Sequence, residues 1–177
     1  MTAASDTRST RLPLPEDGSS HKTYQPALSN ALMELQGAIV RECVLDPVTM
    51  ELIRIRCANV HDCRVCRHVR LEPARAAGAD ETVLAKVQFY ETSDLSERHK
   101  VILRLADAHL FGSVPPSLSE QVGAHLTPEE AVDVVLLVAK CSYQKSLVAL
   151  GLDSPGAYTW FEFDQQTGRN IPLPAVQ

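Results

Sequence analysis

The stretch that organises this chain is residues 51–78, which read ELIRIRCANVHDCRVCRHVRLEPARAAG. Its first part, as far as Val60, is apolar almost all round, and that pattern is typical of a central, buried helix. Glu51 projects from an apolar stripe of this helix, and a buried carboxylate needs a partner or a proton. A Cys-x-x-Cys pair, Cys63 and Cys66, follows. The stretch therefore predicts a buried helix that leads directly into reactive side chains.

Local signals predict where the helices around this stretch begin and end. Asp46 is a candidate cap, and Pro47 after it suits the first turn of the central helix. Asp62 is a natural N-cap for a helix that starts at Cys63. Pro73 predicts a kink or a restart, because proline removes a helical hydrogen bond. Gly78 predicts the C-terminal end of that segment.

Helical signals continue along the rest of the chain. Apolar residues recur at helical spacing over residues 26–40, and residues 117–120 and 127–130 each form a capping-box pattern. The second box opens a long apolar helix that is expected to close at Gly151. We find no strand pattern of any strength and no internal repeat. The prediction is an all-α single domain at residues 26–152, with a mobile arm at 1–25 and a tail at 153–177 that packs on the body or on a neighbouring subunit.

Composition limits the classes of function. With 177 residues, 45% hydrophobic and 22% charged, the chain matches globular averages. A net charge of -5 without a basic run argues against nucleic acid as a partner. The longest apolar run, residues 134–139, is too short to span a bilayer, and no secretory leader is recognised. We therefore expect a cytoplasmic protein that does not bind membranes.

The two cysteines at i and i+3 can form a disulfide, and a helix N-terminus favours the reactive thiolate. Arg64, Arg67 and Arg70 add positive charge. A zinc site is a weaker interpretation, because the nearby cysteines and histidines are too closely spaced to surround one tetrahedral metal. We expect no metal and no cofactor. The two cysteines could also be simple packing residues, as Cys43, Cys57 and Cys141 on apolar helix faces are expected to be.

Glu51 and the histidines also have ordinary structural explanations. Glu51 by itself is more often a salt-bridge partner, here of Arg54 or Arg56, than a catalytic base. His61, His68 and His109 each favour structural roles when taken singly.

The spacing of Glu51, eleven residues, then Cys63-x-x-Cys66 resembles the alkylhydroperoxidase AhpD-like, carboxymuconolactone decarboxylase superfamily. An alanine-rich segment ending at Gly78 and an acidic helix start strengthen the resemblance, as does the helix TPEEAVDVVLLVAK at residues 127–140. The resemblance covers residues 26–152. It implies an all-helical fold whose members assemble into homo-trimers or homo-hexamers through helical faces.

The resemblance also implies catalytic roles. Cys66 would attack a hydroperoxide, Cys63 would resolve the sulfenic acid as a disulfide, and Glu51 would belong to a proton relay. The family's histidine stands four residues after the second cysteine, where this chain has Arg70. Arginine is not a base at neutral pH, although it could hold a thiolate or bind an anionic substrate. His61 or His68 would have to replace the histidine, and a helix places His68 about 160° round from Arg70.

The leading hypothesis is a hydroperoxide reductase that cycles a Cys63–Cys66 disulfide and is recharged by a thiol or dithiol electron donor. One alternative is a carboxymuconolactone decarboxylase-type lyase, in which Arg67 or Arg70 grips a carboxylated metabolite. The other is a non-enzymatic redox sensor that keeps the fold. The candidate catalytic residues are Cys66, Cys63, Glu51, His68 and Arg70.

Overall fold

The computed structural model describes residues 25–151 in full and the strand backbones at 160–164 and 169–172. The predicted arm at residues 1–25 lies almost wholly outside the described residues. So does the predicted tail at 153–177, apart from those two strands.

Helices make up most of the described chain, which confirms the helical fold class. The helices are α1 (Pro26–Glu42), α2 (Pro47–Val60), α3 (Arg64–His68), α4 (Glu72–Ala76), α5 (Glu81–Ala85), α6 (Glu97–Phe111), α7 (Pro116–His125), α8 (Pro128–Cys141) and α9 (Tyr143–Ala149), with a 3₁₀ segment at Lys86–Thr92. Over the described residues, no helix is long and apolar enough to cross a membrane.

The fold also contains a small sheet that the sequence did not predict. Its strands are β1 (Arg70–Leu71), β2 (Trp160–Asp164) and β3 (Arg169–Pro172), in the order β1-β2-β3. β1 pairs with β2 in parallel, and β2 pairs with β3 in the antiparallel direction. A two-residue strand leaves no periodic pattern in a sequence, because it is defined only by its pairing with a distant segment. The expectation of a purely helical chain is corrected to this extent.

Helix α2 lies at the centre of the fold, as its apolar sequence predicts. One side of it packs with α6 and α8 in a buried cluster that contains Ile53, Cys57, Ile102, Val134 and Val138. The opposite side joins a second buried cluster with Leu52, Ile55, Leu84, Val87 and Leu103. Since both sides are covered, Thr49, Glu51 and Arg54 of α2 are held within the core.

Side-chain caps decide several of the helix ends. The Asp46 carboxylate accepts a hydrogen bond from Thr49 N at 2.9 Å, which confirms the predicted start of α2. Thr127 and Glu130 form the predicted capping box of α8. The box predicted at residues 117–120 is wrong: α7 begins at Pro116, and no side chain caps it. Pro116 takes the first helical turn, so the cap position falls on Pro115, which has no side-chain acceptor.

The predicted long C-terminal helix is interrupted at Ser142, where α8 ends and α9 begins. Gly151 follows α9 with a φ of +67°, as a glycine beyond a helix end does. After the interruption, Leu147 and Val148 of α9 pack against the cluster that contains Cys63 and Cys66.

Candidate functional site

The segment that carries the two cysteines, residues 61–69, begins where α2 ends and is called the cysteine loop below. His61 N donates to Cys57 O at 2.8 Å, and Cys63 N donates to Ala58 O at 3.1 Å. Between them Asp62 has a φ of +53°, a left-handed conformation that turns the chain out of α2. The expectation that Asp62 caps the next helix is therefore wrong by one residue.

Cys63 is the N-cap of α3, and its Sγ accepts a hydrogen bond from Cys66 N at 3.3 Å. Cys63 and Cys66 are joined by a disulfide, with their Cα atoms 5.3 Å apart. Cys63 is fully buried, whereas Cys66 is 9% exposed. Both pack on Ala58 of α2 and on side chains of α9. Cys66 is thus the member of the pair that solvent reaches.

Arg54 fills the space beside Glu51. Its Nε donates to Glu51 Oε2 at 2.7 Å, and its Nη2 donates to Glu51 Oε1 at 2.6 Å. Nη1 donates to the carbonyl oxygen of Cys66 at 2.5 Å, and Nη2 also donates to that of Val69 at 2.7 Å. Burial alone would lower the pKa of Arg54, but the Glu51 charge raises it above its ordinary value. The buried carboxylate thus has a permanent cation as its partner.

This arrangement matches the salt-bridge explanation of Glu51. Glu51 is 1% exposed, and a pair this well buried keeps its charges only because each is hydrogen-bonded. The sequence named Arg54 as a possible partner, but it carried no signal that Arg54 also holds the loop. Carbonyl groups are present at every residue, so only the tertiary structure shows which of them the guanidinium binds.

Arg70 lies on another side of the loop, at β1. Its Nε and Nη2 bind the two carboxylate oxygens of Glu81 at 2.6 and 2.8 Å. Its Nη1 donates to the carbonyl oxygens of Arg67 and Val69. The hydrogen bond from Arg70 lowers the pKa of Glu81. Arg70 therefore ties the end of the cysteine loop to α5, and it does not pair with Glu51.

The two histidines near the cysteines lie in different environments. His68 is exposed. His61 is 7% exposed, and neither of its ring nitrogens has a hydrogen-bond partner in the described part of the chain. Burial, with a smaller contribution from the Lys145 charge, lowers the pKa of His61 to about 4. His61 is therefore a neutral imidazole at pH 7, with ring nitrogens free of protein partners among the described residues.

No group of three or more potential metal-binding side chains comes together within the described residues. The described site brings together the disulfide, the Glu51–Arg54 pair and the neutral imidazole of His61.

The arrangement of helices is similar to that of a solved structure. The crystal structure of ATU0492 from Agrobacterium tumefaciens, a protein of unknown function described as a candidate antioxidant defence protein AhpD, aligns with a TM-score of 0.68. The alignment covers 78% of this chain and 97% of that one at 20% sequence identity, so it shows a common fold. Residues 26–94 match the model of the carboxymuconolactone decarboxylase family.

The AhpD-like fold covers most of the chain, whereas the match to the carboxymuconolactone decarboxylase family covers residues 26–94. The chain is also 36% identical over 121 residues to two uncharacterised proteins of Mycobacterium tuberculosis, MT2376 and Rv2313c. The match covers 67% of this chain but only 43% of each relative. The chain thus spans less than half the length of these relatives, and they contribute no known activity.

Proposed function

We propose that this AhpD-like protein is a thiol-dependent hydroperoxide reductase that cycles the Cys63–Cys66 disulfide. The observation that carries the proposal is the disulfide itself, which joins fully buried Cys63 to Cys66, a residue that is 9% exposed. A packing role for these cysteines would not need a bond between them. The fold and family are those of proteins that include such enzymes, and the peroxidase activity is our inference from the site.

The reaction balances with the two cysteines and a reductant. The thiolate of Cys66 attacks the terminal oxygen of the hydroperoxide, so that an S–O bond forms and the O–O bond breaks. The released alkoxide takes a proton and leaves as an alcohol. The Cys63 sulfur then attacks the sulfenic sulfur of Cys66, and water leaves as the disulfide forms. A thiol or dithiol donor returns two electrons and restores both thiols.

The geometry favours Cys66 as the sulfur that meets both substrates. Cys66 has solvent contact and Cys63 has none. When a donor thiolate attacks Cys66, the Cys63 sulfur must leave as a thiolate. The hydrogen bond from Cys66 N to Cys63 Sγ, 3.3 Å long, stabilises negative charge on that leaving group. The same contact supports Cys63 as the resolving cysteine.

Proton transfer needs a group other than Glu51 alone, because Arg54 occupies both oxygens of that carboxylate. We propose that His61 accepts the proton of the attacking thiol. It is neutral at pH 7, and it stands one helical turn after Ala58, which packs on both cysteines. In this proposal Glu51 acts through Arg54, whose hydrogen bond to Cys66 O positions the loop. Exposed His68 is the competing candidate.

The lyase alternative receives less support from the contacts. It requires Arg67 or Arg70 to hold a substrate carboxylate. Arg67 binds Asp62 at 2.7 Å, and Arg70 binds both oxygens of Glu81. A substrate would have to displace a carboxylate of the chain itself at either position.

Assembly into a homo-oligomer is also a proposal. Two helices expose large apolar side chains: Leu28 and Leu35 on α1, and Val132 and Leu136 on α8. Exposed apolar surface of this kind supports burial against further copies of the chain. Light scattering of the purified protein would decide between monomer, trimer and hexamer, and a monomer would contradict the proposal.

The test of the activity measures both the formation of the Cys63–Cys66 disulfide and the catalytic turnover of hydroperoxide. Reduced protein is mixed with cumene hydroperoxide, free thiols are blocked with N-ethylmaleimide, and tryptic peptides are mapped by mass spectrometry. Trypsin separates Cys63 from Cys66, so their disulfide links peptide 57–64 to peptide 65–67. Hydroperoxide consumption is then measured with excess dithiothreitol. We expect many turnovers per chain, whereas a redox sensor would form the bond and stop.

Variants assign the roles. Cys66→Ser should abolish consumption, and Cys63→Ser should leave a sulfenic acid on Cys66 that dimedone traps. His61→Gln should slow turnover roughly 100-fold, since a general base contributes about that much. His68→Gln is the matched control and should keep the wild-type rate. Full turnover in Cys66→Ser would contradict the proposed reaction, and a slow His68→Gln with a normal His61→Gln would reassign the base.

A further inference from the structure

A second pair of cysteines lies in the core, away from the disulfide. Cys57 belongs to α2, and Cys141 is the last residue of α8. Their thiols lie close enough to shift each other's pKa. Cys57 is fully buried and Cys141 is 5% exposed, and both belong to the main core cluster. The sequence placed both in the core by their apolar neighbours, but only the packing of α8 on α2 brings the sulfurs together.

Cys141 also borders a cavity of about 490 Å³ between α1, α2, α4 and α8. Other described residues of its lining include the cations Arg41, Arg54 and Lys140 and the apolar side chains Met50, Leu71 and Leu137. The cavity is large enough for a small organic molecule. Through it, a ligand can reach the Cys141 side of the pair while Cys57 stays enclosed behind.

The two thiols have unequal acidity. The hydrogen bond from the Cys57 thiol lowers the pKa of Cys141, and the positive charges of Lys140 and Arg54 act in the same direction. The same hydrogen bond, together with burial, raises the pKa of Cys57. Cys141 borders the cavity and is therefore assigned as the nucleophile, whereas Cys57 stays enclosed and keeps its proton. A reactive cysteine with a protonated neighbour is the arrangement that a two-cysteine redox reaction uses.

We propose that Cys57 and Cys141 form a second dithiol couple, which reduces an organic hydroperoxide that enters the cavity. The Cys141 thiolate attacks the terminal oxygen, an S–O bond forms, the O–O bond breaks, and the alkoxide leaves as an alcohol after taking a proton. The Cys57 sulfur then attacks the sulfenic sulfur, an S–S bond forms, and the hydroxide leaves as water with the Cys57 proton. Two electrons pass from the dithiol to the hydroperoxide.

Cys43 provides an internal comparison within the same cavity. It also borders the cavity, but burial and the nearby Asp133 carboxylate raise its pKa to about 11. At pH 7.5 it stays a thiol, so it should not attack the hydroperoxide. A reaction that depends only on access to the cavity would modify Cys43 as well as Cys141.

The experiment uses the full chain with Cys63→Ser and Cys66→Ser together, which leaves Cys43, Cys57 and Cys141. The reduced variant is treated with cumene hydroperoxide at pH 7.5, blocked with N-ethylmaleimide and digested with trypsin. Cys57 lies in peptide 57–64, Cys141 in peptide 141–145, and Cys43 in peptide 42–54. We expect the loss of two of three thiols and a link between peptides 57–64 and 141–145. Cys43→Ser in the same background should not change the result.

Several outcomes would overturn the proposal. They are retention of all three thiols, a link between peptides 42–54 and 141–145, or a Cys141 sulfinic acid without any link. The unaltered chain gives the same answer without relying on a variant's folding: excess hydroperoxide should leave only Cys43 free among its five cysteines. Cys57→Ser with Cys141→Ser isolates the Cys63–Cys66 bond. The experiments can therefore contradict the Cys57–Cys141 proposal without contradicting the Cys63–Cys66 proposal, and the reverse.

Discussion

Arg54 binds both oxygens of Glu51 from inside the core, with its Nε 2.7 Å from Oε2 and its Nη2 2.6 Å from Oε1. The same guanidinium holds the carbonyl oxygens of Cys66 and Val69. The pair thereby connects the central helix to the backbone of the cysteine loop. The position of Cys66 therefore depends on the Glu51–Arg54 charge pair.

Arg54→Met should destabilise the fold by about 3–5 kcal/mol, because it leaves the Glu51 carboxylate buried without a partner. The free energy of unfolding is measured by urea denaturation. Adding Glu51→Leu to Arg54→Met should recover part of the loss, since the unpaired charge is then removed.

Arg75→Met is the matched control for this pair, because Arg75 binds Glu72 at the same i,i+3 spacing on the surface. It should leave the stability nearly unchanged. Equal losses in the Arg54 and Arg75 variants would show that burial of the ion pair is not what matters.

His61 should make stability depend on pH in the acid range. Its pKa is lowered from an ordinary value of 6.5 to about 4, so between these values the unfolded chain binds a proton that the folded chain does not. Stability therefore falls as the pH decreases from 6.5 towards 4. The loss should be about 2–3 kcal/mol, and His61→Gln should remove it.

The measurement for His61 is urea denaturation at several pH values between 4 and 7. His68→Gln, at an exposed site, should keep the wild-type curve. A His61→Gln curve with the wild-type slope would mean that another group causes the acid dependence.

Arg70→His places a histidine where the family has one. We expect no gain in hydroperoxide turnover, because the side chain at position 70 is directed to Glu81 of α5. The initial rate of hydroperoxide loss with dithiothreitol is the measurement, and Arg70→Lys is the control that keeps the charge. A rise of about tenfold or more in Arg70→His alone would show that a histidine at this position reaches the thiol.

Thr127→Ala should cost about 1 kcal/mol, because Thr127 and Glu130 satisfy each other's backbone N–H groups at the start of α8. Ser117→Ala tests the capping box that did not form, and it should leave the free energy of unfolding unchanged. Urea denaturation of both variants is the measurement. A loss in Ser117→Ala as large as that in Thr127→Ala would contradict the assignment.

The sequence predicted helix ends well where one short-range contact decides them. Asp46 and Thr127 each cap a helix by accepting from a backbone N–H three residues ahead. Prediction failed at Asp62 and Ser117, where a left-handed turn and a proline moved the helix start away from the residue with the best capping side chain.

The site was predicted in its residue types more than in its contacts. The Cys-x-x-Cys pair and the buried carboxylate could be identified from spacing, and the resemblance to the family drew attention to Arg70. Their partners could not, because Glu81 lies eleven residues from Arg70 and Cys141 lies far from Cys57 along the chain. The small sheet was missed for the same reason, since β1 exists only through its pairing with β2.

The sequence by itself determined that α2 is central, that a carboxylate is buried in it, and that two cysteines stand one helical turn apart. These properties follow from helical periodicity and local hydrogen bonding, which act between residues a few positions apart. Only the tertiary structure decided that Arg54 occupies Glu51 and holds Cys66, that Arg70 faces Glu81, and that Cys141 meets Cys57. Charged groups and thiols interact only when they are close in space. That distance is set when helices far apart in the chain pack together.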